Sequence, residues 1–192
     1  MVIGITGGTG CGKTTFLNCI EDVGGIILDC DAIYHTLLRT DENMLRAIEA
    51  RFPGTVECGS LNRKKLGAIV FADSAALQDL NAITHAYVKS AVLTQLQQCT
   101  AKLIAIDAIG LFEGDLACLC DVTVAITAPQ EDRIRRIMAR DGISYEYAAS
   151  RVQAQHPNEW FSERCDYSLE NSSTPDAFRT QCLAFLHTLG IM

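Results

Sequence analysis

The 192-residue sequence lacks several features that would assign it to large classes of protein. Positive charge is scarce: 16 lysines and arginines stand against 23 acidic residues, so the net charge is −7 and a general nucleic-acid role is disfavoured. No apolar run approaches the length of a transmembrane helix. The apolar start, residues 1–6, is too short for a secretory signal and lacks a basic n-region. We therefore expect a cytoplasmic protein, as a monomer or weak homo-oligomer, with neither a membrane nor a nucleic acid as partner.

Cysteine spacing typical of zinc sites is also missing, although the chain has nine cysteines. Cys118 and Cys120 form a C-x-C pair, and no second pair completes four ligands. The number is odd, so we expect reduced thiols that serve as small apolar residues in a reducing cytoplasm. Cys11 lies in the glycine-rich segment described next, where we expect it to be accessible to alkylation.

That segment, residues 7–14, reads Gly-Gly-Thr-Gly-Cys-Gly-Lys-Thr and fits G-x-x-x-x-G-K-[ST], the phosphate-binding P-loop. A β-branched run precedes it and a helix-like stretch, residues 14–23, follows, as the motif requires. Glycines let backbone N–H groups approach an anion, and the helix turns its positive end toward the phosphates. Lys13 would reach the β- and γ-phosphates, and the Thr14 hydroxyl would ligate Mg²⁺. The alternative, a chance glycine-rich turn, is disfavoured by the complete pattern in its proper context.

Four more apolar runs predict strands at residues 26–29, 102–107, 121–127 and 166–170, with helical patterns between them. The fold class is therefore α/β, with the three-layer α/β/α architecture of P-loop kinases and a five-stranded parallel sheet. Asp107 ends the second of these four strands, a weak Walker-B pattern in which the carboxylate orients Mg²⁺ directly or through water. Ligands of open α/β sheets bind beyond the carboxyl ends of the strands, so we expect the acids there to share one rim with the P-loop.

Asp31 is our candidate for the general base of phosphoryl transfer. It stands two residues beyond the predicted strand 26–29, where the chain has left the sheet. The alternative is that Asp31 only caps the following helix. Asp29 alternates away from Asp31 in an extended segment, so it would point elsewhere or support the metal through water.

Residues 32–98 predict a series of helices without a strong strand. Asp41 and Asn62 are placed to cap two of them. We expect one helix to start at Ser74 and a separate one to cover residues 86–98. The division that follows is a core of about 1–31, 101–128 and 164–192, a helical acceptor-binding insertion of about 32–100, and a helical lid of about 129–163.

Three arginines of the expected lid, Arg133, Arg136 and Arg140, share one helix face at i, i+3 and i+7. A solvated basic face is the alternative interpretation. The P-loop upstream instead favours a lid that closes over ATP, neutralises charge and excludes water.

These motifs resemble those of the dephospho-CoA kinase family. Residues 6–14 are similar to its T-G-G-x-G-x-G-K-[ST] opening, and residues 29–31 to its D-A-D. Residues 136–141 are similar to its R-x-x-x-R-[DN], residues 151–155 to its R-x-x-x-Q, and residues 166–171 to its D-x-x-I-x-N.

Further matches include residues 60–71, residues 80–86 with L-N-x-I-x-H, and residues 109–113. The matches run in family order along nearly the whole chain. Departures are Ala86 in place of proline, Ile109-Gly110 in place of Pro-Leu, and Ser172-Ser173 after Asn171. They touch the acceptor pocket and the adenine loop, and none removes a residue of the P-loop, base or lid.

The resemblance implies transfer of the γ-phosphate of ATP to the ribose 3′-hydroxyl of dephospho-CoA, the last step of coenzyme A synthesis. It implies ATP and Mg²⁺ as cofactors, Asp31 as base, and Lys13, Arg136 and Arg140 on the transferring phosphoryl. Asn171 would lie near the adenine, and Thr14 and Asp107 would serve the metal. The remaining expected contacts are Gly8, Thr9, Gly10, Cys11, Gly12 and Thr15 for the nucleotide, and Arg63, Lys64, His85 and Lys89 for dephospho-CoA.

Two other functions remain open from the residues. One is another P-loop kinase, acting on a small molecule or a nucleoside monophosphate. The other is a nucleotide-dependent switch or motor ATPase, which would need a partner surface or a water-orienting residue instead of an acceptor base. The long insertion argues against the first, and the arginine lid with Asp31 against the second.

Overall fold

The computed structural model describes residues 1–191 and has an α/β fold. The strands of its main sheet are β1 (Val2–Thr6), β2 (Ile26–Asp29), β5 (Ile104–Asp107), β6 (Val122–Thr127) and β7 (Tyr167–Glu170). They lie in the order β2-β5-β1-β6-β7, and the register of β1 with β5 and β6, and of β6 with β7, is parallel. The fold class and the five parallel strands predicted from the sequence are confirmed.

Two compact units make up the described chain. The first consists of Met1–Leu28, Thr100–Leu111 and the chain from Ala117 onward. Its core packs the strands against α1 (Lys13–Asp22) and α9 (Pro175–Thr188), with Ile3, Ile5 and Phe16 fully buried. The same unit contains α6 (Gln130–Asp141), α7 (Tyr145–Gln153), α8 (Asn158–Ser162) and a short 3-10 turn, Ala117–Leu119.

The second unit, Asp29–Cys99 with Phe112–Leu116, is mainly helical. Its helices are α2 (Cys30–Thr40), α3 (Glu42–Arg51), α4 (Arg63–Val70) and α5 (Ser74–Gln98). They pack around a core of their own that includes Met44, Ile48 and Phe52. A small antiparallel hairpin, β3 (Val56–Glu57) with β4 (Ser60–Leu61), lies between α3 and α4.

Local signals placed most helix starts correctly. Asp41 accepts a hydrogen bond from Met44 N, and Asn62 from Lys65 N, so both expected caps are confirmed. The expected break before residue 86 is wrong, because α5 continues for 25 residues from Ser74 to Gln98. No glycine or proline occurs within that helix, so nothing in the backbone interrupts the hydrogen-bond ladder.

All nine cysteines of the described chain are thiols, without a disulfide. Cys11, Cys19, Cys30 and Cys182 are buried, in agreement with their expected use as small apolar residues. Among residues 1–191, no helix combines the length and the apolar character needed to cross a membrane.

Candidate active site

The P-loop joins the end of β1 to the start of α1. Gly12 is the N-cap of α1 and has a φ of 103°, a left-handed conformation that side chains rarely adopt. A Cβ at this position would lie 2.2 Å from Asn171 Nδ2, so space as well as conformation requires glycine. Lys13 Nζ donates a hydrogen bond to the Gly7 carbonyl at 2.9 Å, which keeps the ammonium group over the loop. A loop of this form, followed by a helix N-terminus, is suited to hold phosphates.

Two side chains of the expected lid, Arg133 and Gln155, hold Thr9 of the P-loop. The Thr9 N–H donates to Gln155 Oε1 at 2.9 Å, and Gln155 Nε2 donates to Thr9 Oγ1 at 2.8 Å. Arg133 Nε donates to the Thr9 carbonyl at 3.0 Å, and Arg133 Nη2 donates to Gln155 Oε1 at 2.7 Å. The backbone N–H, the carbonyl and the hydroxyl of Thr9 are therefore all bound by residues from, or next to, α6 and α7.

Arg133 is buried, with only 3% of its surface exposed, which overturns the alternative of a fully solvated basic face. Burial lowers the pKa of its guanidinium. Gly8 gives it room, since a Cβ at residue 8 would lie 2.1 Å from Arg133 Nη2. The glycine at this position of the loop is therefore needed for contact with the lid.

Arg136, also on α6, contacts the P-loop at Gly10 and Cys11. Its Nη1 donates to the carbonyls of Gly10 and Cys11 at 3.2 and 3.4 Å, and its Nη2 donates to the carbonyl and Oδ1 of Asn171, both at 3.2 Å. Asn171 follows β7, is buried, and donates from Nδ2 to the Cys11 carbonyl at 3.0 Å. One arginine and one asparagine thus join the P-loop, α6 and the end of β7.

Arg140, at the exposed end of α6, pairs with its neighbour Asp141 through Nε at 2.7 Å. Arg151 of α7 pairs with the same carboxylate at 2.6 Å. Hydrogen bonds donated by Arg140 and then Arg151 lower the pKa of Asp141 to about 2, and the bond that Arg140 donates to Asp141 raises the pKa of Arg140. Asp141 therefore ties the end of α6 to α7.

Asp29 and Asp31 have different positions at the start of α2. Asp29 is the N-cap, and its side chain accepts a hydrogen bond from Ala32 N at 2.9 Å. Asp31 is exposed in the first turn of the helix. The interpretation of Asp31 as the cap is therefore wrong, because Asp29 already satisfies the helix end.

Asp107 ends β5 and lies opposite Ile5 in the register of β1, the strand that leads into the P-loop. Burial is the main cause of the raised pKa of the Cys11 thiol, and Asp107 adds to it. Only 1% of Cys11 is exposed, so the expected accessibility to alkylation is wrong. The Cys11 side chain is buried beneath the loop surface, where reagents do not reach it.

The four expected acceptor contacts belong to the helical unit. Arg63 starts α4, where its Nη2 lies 3.5 Å from His35 Nδ1, and Lys64 beside it is exposed. On α5, His85 Nδ1 lies 3.2 Å from the Glu113 carbonyl, and Lys89 pairs with Asp115.

Sequence reasoning missed the importance of Arg133 and Gln155, which lie 124 and 146 positions from Thr9 along the chain. The signals were present, since Arg133 shares the arginine face of the lid and Gln155 ends the R-x-x-x-Q match. Neither signal predicts a contact with the backbone of the P-loop.

Comparison with known proteins identifies the family of this chain. The family model for dephospho-CoA kinase matches residues 1–176. The dephospho-CoA kinase of Thermus thermophilus is 34% identical over 174 residues, 91% of this chain and 84% of that protein. The crystal structure of a Thermus thermophilus protein has a TM-score of 0.80 at 33% identity and covers 98% of this chain and 97% of its own. The dephospho-CoA kinase from Campylobacter jejuni has a TM-score of 0.71 at 26% identity, with 100% and 98% covered. On the family match and these identities, the chain belongs to the dephospho-CoA kinase family.

Proposed function

We propose that this protein transfers the γ-phosphate of ATP to the ribose 3′-hydroxyl of dephospho-CoA, giving ADP and coenzyme A. The family match over residues 1–176 carries the proposal. The complete P-loop between β1 and α1 supports the phosphate-donor half of the reaction independently.

The ATP phosphates would lie along the P-loop. Backbone N–H groups and the positive end of α1 would bind the phosphate oxygens, and Lys13 would turn from the Gly7 carbonyl toward the β- and γ-phosphates. The nucleotide contacts that we propose are Gly8, Thr9, Gly10, Cys11, Gly12, Lys13, Thr14 and Thr15, with Asn171 near the adenine. Cys11 would contribute through its backbone, since its side chain is buried.

Asp31 would accept the proton of the acceptor hydroxyl as that oxygen attacks the γ-phosphorus. Its exposure, together with the capping role of Asp29, supports this assignment, because Asp31 is not needed to cap α2. Deprotonation makes the oxygen a better nucleophile, and bond cleavage at the γ-phosphorus leaves ADP.

Arg136 and Arg140 would stabilise charge on the transferring phosphoryl group. Arg136 is closer to that role, since it already contacts the loop carbonyls of Gly10 and Cys11. Arg140 would have to exchange its bond with Asp141 for the phosphate. Residues 129–163 would act as the lid.

Magnesium fits the oxygen donors at the site. The Thr14 hydroxyl is exposed at the second position of α1, and Asp107 ends the strand beside β1. Both offer oxygen, which Mg²⁺ prefers, and the ion usually keeps several waters and binds phosphate oxygens for its other ligands. Within the described part of the chain, no cluster of three or more His, Cys, Asp or Glu side chains could hold a metal by itself. Bound Mg²⁺ would neutralise phosphate charge, and Thr14 and Asp107 would hold it.

The helical unit would receive dephospho-CoA, with Arg63, Lys64, His85 and Lys89 as contacts. Positive charge suits an acceptor that carries a diphosphate. We further propose that the enzyme acts in the cytoplasm, which the nine thiols support, and as a monomer or weak homo-oligomer.

Incubation of the purified protein with MgATP and dephospho-CoA tests the proposal directly. We expect ADP and coenzyme A in equal amounts, with the new phosphate on the 3′-oxygen. The matched control is Lys13→Ala, which should lower both ATP affinity and turnover. If the wild-type protein forms no coenzyme A, or phosphorylates a nucleoside monophosphate or another small molecule instead, the proposed function is wrong.

A further inference from the structure

The backbone carbonyls of the P-loop are all engaged. Each carbonyl from Gly7 to Gly12 accepts a hydrogen bond, and the donors are Lys13, Cys11, Arg133, Arg136, Asn171 and Thr15. Carbonyl oxygens carry partial negative charge and repel phosphate, whereas backbone N–H groups attract it. A loop that binds phosphates must therefore keep its carbonyls directed elsewhere, and these donors hold them there.

One of these hydrogen bonds fixes the peptide between Cys11 and Gly12. Asn171 Nδ2 donates to the Cys11 carbonyl at 3.0 Å, and a Cβ on Gly12 would lie only 2.2 Å from the same nitrogen. The peptide bond is trans, so its planar geometry directs the N–H opposite to the carbonyl. The Gly12 N–H is therefore turned away from Asn171.

The two polar atoms of the Asn171 amide have different partners. Oδ1 accepts from Arg136 Nη2 at 3.2 Å, while Nδ2 donates to the Cys11 carbonyl. Arginine can only donate and a carbonyl can only accept, so this position requires an acceptor and a donor side by side, which an amide provides. A carboxylate here would satisfy Arg136 and repel the carbonyl.

The Asn171 amide is held firmly at this position. The residue is 6% exposed, and its backbone N–H donates to the Thr127 carbonyl at 2.8 Å, just beyond the pairing of β6 with β7. Its own carbonyl accepts from Arg136 Nη2 at 3.2 Å. The end of the sheet and α6 thus fix the donor, and a preorganised contact of this kind avoids the ordering cost that binding otherwise carries.

We propose that Asn171 is a positioning residue for phosphate binding, which holds back the Cys11 carbonyl so that the Gly12 N–H faces the phosphates of the nucleotide. The inference rests on the proposed function in taking ATP as that nucleotide. Asn171 then acts on the phosphates through the loop and does not distinguish one base from another. A hydrogen bond from its amide to the adenine is the alternative that the experiment must separate.

Asn171→Asp removes the donor and keeps the shape of the side chain and the acceptor for Arg136. Asn18→Asp, the same change at an exposed position of α1, is the matched control. We would measure by calorimetry, in one magnesium buffer without acceptor, the affinities for ATP and for inorganic tripolyphosphate, which has the same three phosphates and no base. We expect both affinities to fall at least tenfold, by factors that agree within twofold, in Asn171→Asp. Both should stay within twofold of wild type in Asn18→Asp.

Asn171→Ala separates positioning from packing. Alanine brings no charge and leaves room for a water that can donate to the Cys11 carbonyl, so its loss of affinity should be smaller than that of Asn171→Asp. A side chain that only filled space would give the reverse order, because aspartate has nearly the volume of asparagine and alanine leaves a cavity. That reverse order would overturn the proposal. If melting temperatures show that the carboxylate prevents folding, the alanine variant carries the test, with equal losses expected for the two ligands.

Two further results would also overturn the proposal. Weaker binding of ATP with unchanged binding of tripolyphosphate would assign Asn171 to the adenine, and unchanged binding of both ligands would show that the amide does not position the loop. The measurements need no acceptor, so their outcome is independent of the reaction. A wild-type protein that binds ATP and forms no coenzyme A would refute the proposed function and leave this inference standing.

Discussion

Gln155 and Thr9 exchange two hydrogen bonds, one from the Thr9 N–H to Gln155 Oε1 at 2.9 Å and one from Gln155 Nε2 to Thr9 Oγ1 at 2.8 Å. The same Oε1 accepts from Arg133, whose guanidinium is buried. One amide therefore fixes the P-loop to the lid and satisfies a buried cation. These contacts make Gln155 a positioning residue for the P-loop.

Gln155→Ala should raise KM for ATP roughly 10- to 30-fold, because two hydrogen bonds of roughly 1 kcal/mol each are lost and Arg133 loses an acceptor. We expect a smaller effect on kcat. Gln155→Glu, which retains an acceptor for Thr9 and Arg133, should recover part of the affinity. Gln153→Ala, at an exposed position of α7, is the control.

Tryptophan fluorescence gives this prediction a readout apart from activity. Trp160 is the single tryptophan of the sequence, and its ring stacks on His156 at 3.9 Å, next to Gln155. Release of Gln155 from Thr9 should alter that stacking and shift the emission. Identical spectra and identical KM values in Gln155→Ala and wild type would show that the bonds between lid and loop do not position the nucleotide.

Asp31→Asn should lower kcat by on the order of 10²-fold or more, while ATP binding stays close to wild type, because the amide cannot accept the proton. Asp29→Asn is a matched control, since asparagine caps helices about as well as aspartate. Asp29→Ala should cost about 1 kcal/mol of stability through loss of the cap, without the same loss of kcat. Near-normal turnover in Asp31→Asn would exclude Asp31 as the base.

Local patterns in the sequence predicted the parts of the fold that depend on near neighbours. The P-loop, the strands and the caps at Asp41 and Asn62 each follow from a few adjacent residues. The expected boundary before residue 86 was wrong, because the residue pattern did not show that the two predicted helices form one continuous helix, Ser74–Gln98.

Contacts between distant segments could not be predicted in this way. The arginine face of α6 was visible in the sequence, but the burial of Arg133 depends on the absence of a side chain at Gly8, 125 positions away. Likewise, aspartate is a preferred N-cap residue, so either Asp29 or Asp31 could cap the helix that follows them. The helix begins at Cys30, and that start alone gives the cap to Asp29 and leaves Asp31 exposed.

Thr14→Val should raise the Mg²⁺ concentration needed for half-maximal activity several-fold, because the isosteric side chain removes the hydroxyl ligand. Thr14→Ser keeps the hydroxyl and should resemble wild type. Affinity for ATP, measured by calorimetry with and without Mg²⁺, separates a metal effect from a general one. We expect Thr14→Val to weaken binding of MgATP more than binding of free ATP, and equal weakening of both would contradict a role in metal binding.

The ion pairs of Asp141 should make the thermal stability of the protein depend on pH. Its pKa is lowered to about 2 by hydrogen bonds from Arg140 and Arg151, whereas the unfolded chain has the usual aspartate value near 3.9. The folded state therefore binds this proton less readily than the unfolded state, so the stabilisation by ionised Asp141 is present in full above about pH 4 and is lost as the pH falls toward 2.

Asp141→Asn should lower the melting temperature at pH 7, and the difference from wild type should shrink as the pH falls through this window. Because Arg140 and Asp141 are near the surface, added salt should also reduce the difference at pH 7. A difference that stays constant from pH 7 to pH 3 in thermal unfolding would show that the two arginines do not stabilise the ionised form.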